Sequence, residues 1–398
     1  MKLNIRALLS LIFIAIFALS AVSIVHAAVT QLPTPSTISS GGVGEYIAYD
    51  SSLGEIYSTN SESANTVSVI SDSSNTVIAT VNVGVNPVGI AYDAGKGEMF
   101  VINNENSADS GLNSTISVIQ DSSNTVIATV TVGMGAQTGI AYDSNKGEIF
   151  VVNGDNTISV ISDSSNTVID TITVGNTPWG AAYDSAKSEI FVSNEEDSSV
   201  SVISDSSNTI VATVTGSISG PEGLAYDSAK GEIFVADYPA ASFSVISDKN
   251  NAVVTTVDMS QVDGYAGNPG FVTYDPPKGE VYVTCVGGAL QVISDSNNAV
   301  VAYVLTSGGD IGNAYDSGKG ELFVATYNNV LAIIPDSSSS SATASPTSSP
   351  SATSTGSASP TPTVPEFSSA ALVSMAVAMV VVTLGAVAIG KKSRKNRQ

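Results

Sequence analysis

Histidine and cysteine are almost missing from this chain: each occurs once, as His26 and Cys285, in 398 residues. A lone cysteine excludes the disulfide framework that staples many small secreted domains. Cys285 also sits inside the apolar run VYVTCVGG, which suits a buried, inert thiol rather than a nucleophile. Since His26 precedes the expected leader cleavage, a mature chain has no imidazole for a triad, a histidine metal site or a general base.

Positive charge is the next scarcity. Of 14 lysines and arginines, Lys2 and Arg6 open the chain and five close it in KKSRKNRQ; the stretch between holds seven lysines and all 36 acids, a net charge of −29. So acidic a surface repels phosphate backbones, and nucleic acid is excluded as a partner.

The ends read as targeting segments. Residues 1–27 have the charged start, apolar run and small-residue site of a secretory signal, with cleavage expected between Ala27 and Ala28; an uncleaved signal anchor is the alternative. Residues 337–364 form a Ser/Thr/Pro-rich stalk, with 18 Ser or Thr in its first 27 residues, either O-glycosylated or bare. Residues 365–398 hold Pro365-Glu366-Phe367, an uncharged apolar span from Ser368 to Gly390, and the basic tail. That span is long enough for one C-terminal transmembrane helix with the tail inside the cell. The expected location is thus extracellular, anchored to the membrane.

Between these ends the pair Tyr-Asp recurs at Tyr49, Tyr92, Tyr142, Tyr183, Tyr226, Tyr274 and Tyr315, at spacings of 41 to 50 residues. This is the period of a propeller blade. One unit reads as four short strands: TGIAYD (A), EIFVVN (B), TISVISD (C) and TVIDTITVG (D). The expected fold is all-β, a seven-bladed β-propeller of four-stranded antiparallel blades over residues 43–336. The seventh unit lacks strand D, so residues 28–42 are expected to supply it and close the ring.

Strand B ends IYSTN at Ile56, MFVIN at Met99, IFVVN at Ile149, IFVSN at Ile190, IFVAD at Ile233, VYVTC at Val281 and LFVAT at Leu322. These blocks, with VSVISDSSNTVIATVNVG from Val67, resemble the YVTN-type β-propeller repeats of archaeal surface-layer and bacterial secreted proteins. Asp237, Cys285 and Thr326 depart from the terminal Asn. The order of Pro-Glu-Phe motif, apolar span and basic tail resembles the PEF-type sorting signals that an archaeosortase processes. The resemblance implies a fold and a place in the cell envelope, not an activity. Propellers of similar outline, including a streptogramin lyase and lactonases, rely on histidines or metal clusters that this sequence does not show. Paired carboxylates could hydrolyse glycosides, but no pair stands out. The expectation is therefore no enzyme, but a structural or adhesive surface scaffold whose partners are envelope proteins or glycans. A receptor-like module for a small extracellular ligand or glycan is the alternative.

Alternate loops of a blade fall on opposite rims. The A–B and C–D turns are nearly constant, whereas the B–C and D–A loops vary, which places binding on the second rim. Its aromatics are Trp179, Tyr238, Tyr265 and Tyr327; its acids are Glu105, Asp109, Glu195, Glu196, Asp197, Asp237 and Glu222. Together these could hold a sugar or a cationic group. The run Glu195-Glu196-Asp197 lacks the alternating ligand spacing of a calcium loop, so no cofactor is expected, calcium being the one alternative. A single exported sequon, Asn113-Ser-Thr, is a candidate N-glycosylation site. The Asp, Lys and Glu of the repeated YDSNKGE turn read as a hairpin with a rim-exposed ion pair.

Overall fold

The computed structural model describes residues 29–335 apart from 41, 43, 62–63, 105–111, 261, 263–266, 288, 307–309 and 327. The signal segment with Ala27 and Ala28, the stalk, Pro365, Glu366, Phe367 and the apolar span after them lie outside the described residues. So do Tyr265, Tyr327, Glu105 and Asp109. Among the described residues, no helix is long and apolar enough to cross a membrane.

Seven antiparallel sheets follow one another along the chain, each ordered A-B-C-D from its first strand outwards. The strands form where β-branched and aromatic residues cluster, and each turn forms where a left-handed residue is available. In the A–B turns that residue is Gly at six positions (such as Gly97, φ 68°) and Ser188 at the seventh. In the six C–D turns it is always Asn (such as Asn124, φ 51°). Asn adopts this conformation with less strain than most side-chain-bearing residues, which explains its fixed position in the repeat.

Burial grades outward as the sequence pattern requires. Strand B is apolar on both faces and buried between neighbouring sheets, with Phe100, Phe150, Phe191, Phe234 and Phe323 fully enclosed. Each such ring stabilises the fold by about 1.5–3 kcal/mol. Strand D buries one face and exposes the other. Its third residue, Ile78, Ile127, Ile169, Val211 or Val254, is bulged out of the ladder and half-exposed. The bulge bends the outer edge.

The stretch before the first blade divides in two. Strand β1 (Thr30–Gln31) adds in parallel to the outer edge of blade 6, pairing Thr30 with Ala302. Strand β2 (Ser36–Ser39) runs antiparallel to strand C of blade 7 (Val330–Pro335), pairing Ile38 with Leu331, and fills the outermost position of that sheet. A fifth strand on blade 6 has no counterpart in the repeat pattern. Leu32 anchors it by packing with Val301 against the blade 6–blade 7 core.

The repeated turn does more than reverse the chain. Oδ1 of six of the seven Tyr-Asp aspartates accepts the backbone N–H groups two and three residues on, as in Asp93 with Gly95 at 2.8 Å and Lys96 at 3.2 Å; the exception is Asp275, followed at that position by Pro277. The tyrosine reaches backwards to the preceding blade's aspartate: Tyr92 to Asp50, Tyr142 to Asp93, Tyr274 to Asp227 and Tyr315 to Asp275. Burial first, then these carboxylates, push the phenols up, Tyr315 to about 12. Tyr183 and Tyr226 lie against Asp143 and Asp184 in the same way; none of these tyrosine–aspartate contacts meets strict hydrogen-bond geometry, so they are electrostatic.

The lysine reaches forwards, which corrects the reading of a simple pair within one turn. Lys96, Lys146, Lys187 and Lys319 donate to the carbonyls of Asp163, Asp205, Asp248 and Asp72 in the next blade's C–D turn. Lys230 approaches Asp295 at 3.4 Å. Lys146 and Lys278 approach the Glu of their own turn, both at 3.8 Å.

Candidate functional site

The terminal Asn of strand B organises the other rim. Asn103 Nδ2 donates to Thr115 (3.1 Å) and Ser117 (2.9 Å) of its own blade. Its Oδ1 accepts from Gly84 N (3.0 Å) in the loop arriving from the preceding blade. Asn194 repeats the arrangement with Ser199, Ser201 and Gly175. Asp237 takes the same place in blade 5. Its carboxylate is fully buried, accepting from Ser242 (3.2 Å), Ser244 (2.6 Å) and Ser219 N (3.3 Å). Burial raises its pKa and these donors oppose the rise. Asp237 is thus a structural clamp, not an exposed ligand-binding acid on the rim.

The remaining candidates separate. Asp197 is exposed and accepts from Asn176 N (2.8 Å) and Nδ2 (2.9 Å), bonds that lower its pKa and fasten the D–A loop to the B–C loop. Glu196 is exposed and Glu195 half-buried. Among the described residues no group of three Asp, Glu, His or Cys side chains is placed to hold a metal ion. Tyr238 opens a short 3-10 turn, Tyr238–Ala240, and is half-buried. Asn113 begins the exposed end of strand C in blade 2, paired with Met134.

Trp179 stands at the centre. Inner strands converge on a cavity of about 180 Å³ lined by residues of all seven strands A, so it lies on the ring axis. Aligning those strands puts Gly89, Gly139, Gly180, Gly223 and Gly312 at one shared position. A Cβ on Gly180 would stand 2.4 Å from the Glu222 carbonyl of the next blade, and the other four meet equivalent backbone. In blades 1 and 6 that position carries Tyr46 and Phe271 instead, and both line the cavity. Their rings meet at 5.2 Å, edge to face, and Phe271 meets Trp179 at 5.1 Å. An aromatic arc thus spans the axis from blades 4, 6 and 1. Tyr46 and Phe271 are not among the loop aromatics that the sequence marks as candidates. The signal available was an aromatic where five aligned copies have glycine.

Glu222 adds the acid. It follows Pro221 in strand A of blade 5 (Pro221–Asp227), and Trp179 follows Pro178 in strand A of blade 4 (Pro178–Asp184). Glu222 is 8% exposed. Gly270 of blade 6 leaves it room: a Cβ there would lie 3.7 Å from Oε2. Burial, and secondarily the charge of Glu195, push the Glu222 carboxyl up to about 8. The backbone beneath is fixed, with Ser193 Oγ donating to the Glu222 carbonyl at 2.6 Å and accepting from Gly180 N at 2.9 Å. Glu222 does not itself line the cavity: its carbonyl packs against Gly180, which does, and its carboxyl lies near Gly270, the residue before Phe271. A carboxyl poised near neutrality this close to an aromatic cavity fits a binding or reactive site.

Fold and site together define a seven-bladed propeller with an aromatic, acid-bearing axial mouth. A family model described as Arylesterase matches residues 188–312, the segment that carries Glu195, Glu222 and Phe271. This match corrects the expectation that the chain is no enzyme, since it points to an esterase-type, hydrolytic propeller. Among solved structures, the Kuenenia stuttgartiensis hydrazine synthase is similar in fold, with a TM-score of 0.65 at 16% identity over 79% of this chain and 99% of that one. No curated protein matches the chain.

Proposed function

We propose that the protein is a propeller displayed outside the cell and that it takes a small ligand with a planar face at its axial mouth. The observation that carries this reading is the arc of Tyr46, Phe271 and Trp179 in a cavity otherwise lined mainly by glycines and small or aliphatic residues. Aromatic faces held edge to face give a ligand area and orientation without a moving loop. Display outside the cell rests on the leader at 1–27, the stalk at 337–364 and the anchor at 365–398. The YVTN and PEF resemblances favour an archaeal envelope, with envelope proteins or glycans as rim partners and an archaeosortase-like enzyme processing the anchor.

A second reading, hydrolysis of an aryl ester at the same mouth, is favoured by the Arylesterase match over residues 188–312. In that reading Glu222, as a carboxylate, takes the proton of the attacking water and returns it to the departing phenoxide.

Trp179 is the chain's only tryptophan, so its fluorescence reports on this site alone. Titration with phenyl acetate should change that emission saturably. Phe271→Gly, which restores the residue most copies carry, should abolish the change while the circular dichroism stays native. Silence of Trp179 towards aryl ligands overturns the mouth as the binding site. Release of phenol that Glu222→Gln eliminates supports the hydrolytic reading, and no release above background overturns it.

A further inference from the structure

The distribution of charge about the axis narrows the ligand. All seven exported lysines lie on the A–B/C–D rim: six in the Tyr-Asp turns and Lys249 in the C–D turn of blade 5. Among the described residues the mouth rim therefore carries carboxyl groups and no cation. Glu222 is more than nine-tenths buried there, and no described side chain donates a hydrogen bond to its carboxyl. Buried carboxyls are ordinarily paired or hydrogen-bonded, and none of the described side chains plays that part here.

What surrounds it suits a cation. Trp179 and Phe271 come from blades 4 and 6 and meet at 5.1 Å, bridging across blade 5, the blade that carries Glu222. Ring faces attract organic cations, and an acidic rim concentrates them. Resting on the reading of the mouth as a ligand site, we propose that its ligand is an organic ammonium ion, held by the carboxylates of Glu222 and Glu195 and by the faces of the Trp179–Phe271–Tyr46 arc. The cation supplies a partner that no described side chain provides.

The acid's other neighbours leave this assignment to Glu222 and Glu195. Asp237, opposite Pro221 in the blade 5 ladder, is turned into its own serines. Tyr238 follows it in the short turn. Tyr183 and Asp184 of blade 4, and Tyr274 and Asp275 of blade 6, occupy the far ends of their strands. Below pH of about 8 Glu222 holds a proton, which the arriving cation displaces. Affinity therefore rises with pH up to about 8 and then levels.

Phenyltrimethylammonium and tert-butylbenzene have nearly the same shape and differ in charge. Trp179 fluorescence of the propeller should report at least tenfold tighter binding of the cation at pH 8.5. That preference should weaken in high salt and at pH 6. Glu222→Gln should cost the cation at least tenfold, erase its pH dependence and leave tert-butylbenzene unchanged. Equal affinities for the two probes, or a Glu222→Gln protein that binds the cation as wild type does, overturn the ammonium assignment while leaving the mouth a ligand site. A Trp179 signal blind to both probes and to phenyl acetate overturns the underlying reading as well.

Discussion

Tyr49 lies against Asp316, so the first Tyr-Asp pair of the chain is latched to the last. Burial first, and then the Asp316 carboxylate, raise the Tyr49 phenol. Lys319 closes the same junction from the other side by donating to the Asp72 carbonyl. The junction where the ends of the ring meet therefore carries the same two links as the junctions from blade 2 through blade 5.

This equivalence is measurable. Tyr49→Phe and Tyr142→Phe should each destabilise the propeller by under about 1 kcal/mol, as for a partly exposed polar contact, and by the same amount as each other. Urea unfolding of the two variants checks it. A loss at Tyr142 with none at Tyr49 would show the seam to be unlatched.

The lysines also contribute little, because their ammonium groups are about one-third exposed. Lys146→Ala should cost under about 1 kcal/mol. Its effect should shrink further at 1 M salt, where the ion-pair part is screened. A loss of several kcal/mol in thermal or urea unfolding would give the lysine a weight that exposed pairs do not have.

The two N-terminal strands predict a graded truncation. Starting the chain at residue 34 removes β1 and Leu32 and should lower the melting temperature by a few degrees. Starting it at residue 41 also exposes the outer face of blade 7, where Ile38 packs beside Leu331 and Ile333. That shorter chain should lose several kcal/mol more, as for a buried aliphatic side chain and a lost ladder. Equal melting of both truncated chains would remove β2 from the closure.

Glu222 makes stability depend on pH in a definite direction. Its folded pKa stands above the unfolded value, so its contribution is fully present below about 4.5 and is lost as pH rises through about 8. Glu222→Gln, which never ionises, should stabilise the propeller at pH 9 by roughly 2–4 kcal/mol and change little at pH 4. Differential scanning calorimetry at the two pH values checks the sign.

How far the sequence could be read follows from what each feature depends on. Blade number and strand order come from local patterns repeated every 41 to 50 residues, and those are written in each copy. The clamp at Asp237 was legible too, since it occupies the register of Asn103 and Asn194, yet its charge drew it into the set of rim ligands. Glu222 could be named but not ranked: its burial arises where three blades meet, with Gly270 vacating space from 48 residues away. The reach of each lysine into the next blade was hidden for the same reason. The order of the blades is local information; the fit between them is not.

Strand β2 also sets an order of events. It leaves the ribosome ahead of every blade, while the strand it pairs with, Val330–Pro335, is the last to be made. Inner blades can dock on their neighbours as they emerge. The ring, however, cannot be sealed until the propeller's whole length has been produced, and until then its first strand waits without a partner. Any truncated product that stops before residue 330 is left with an open ring. Completion of the propeller is thereby recorded in its shape.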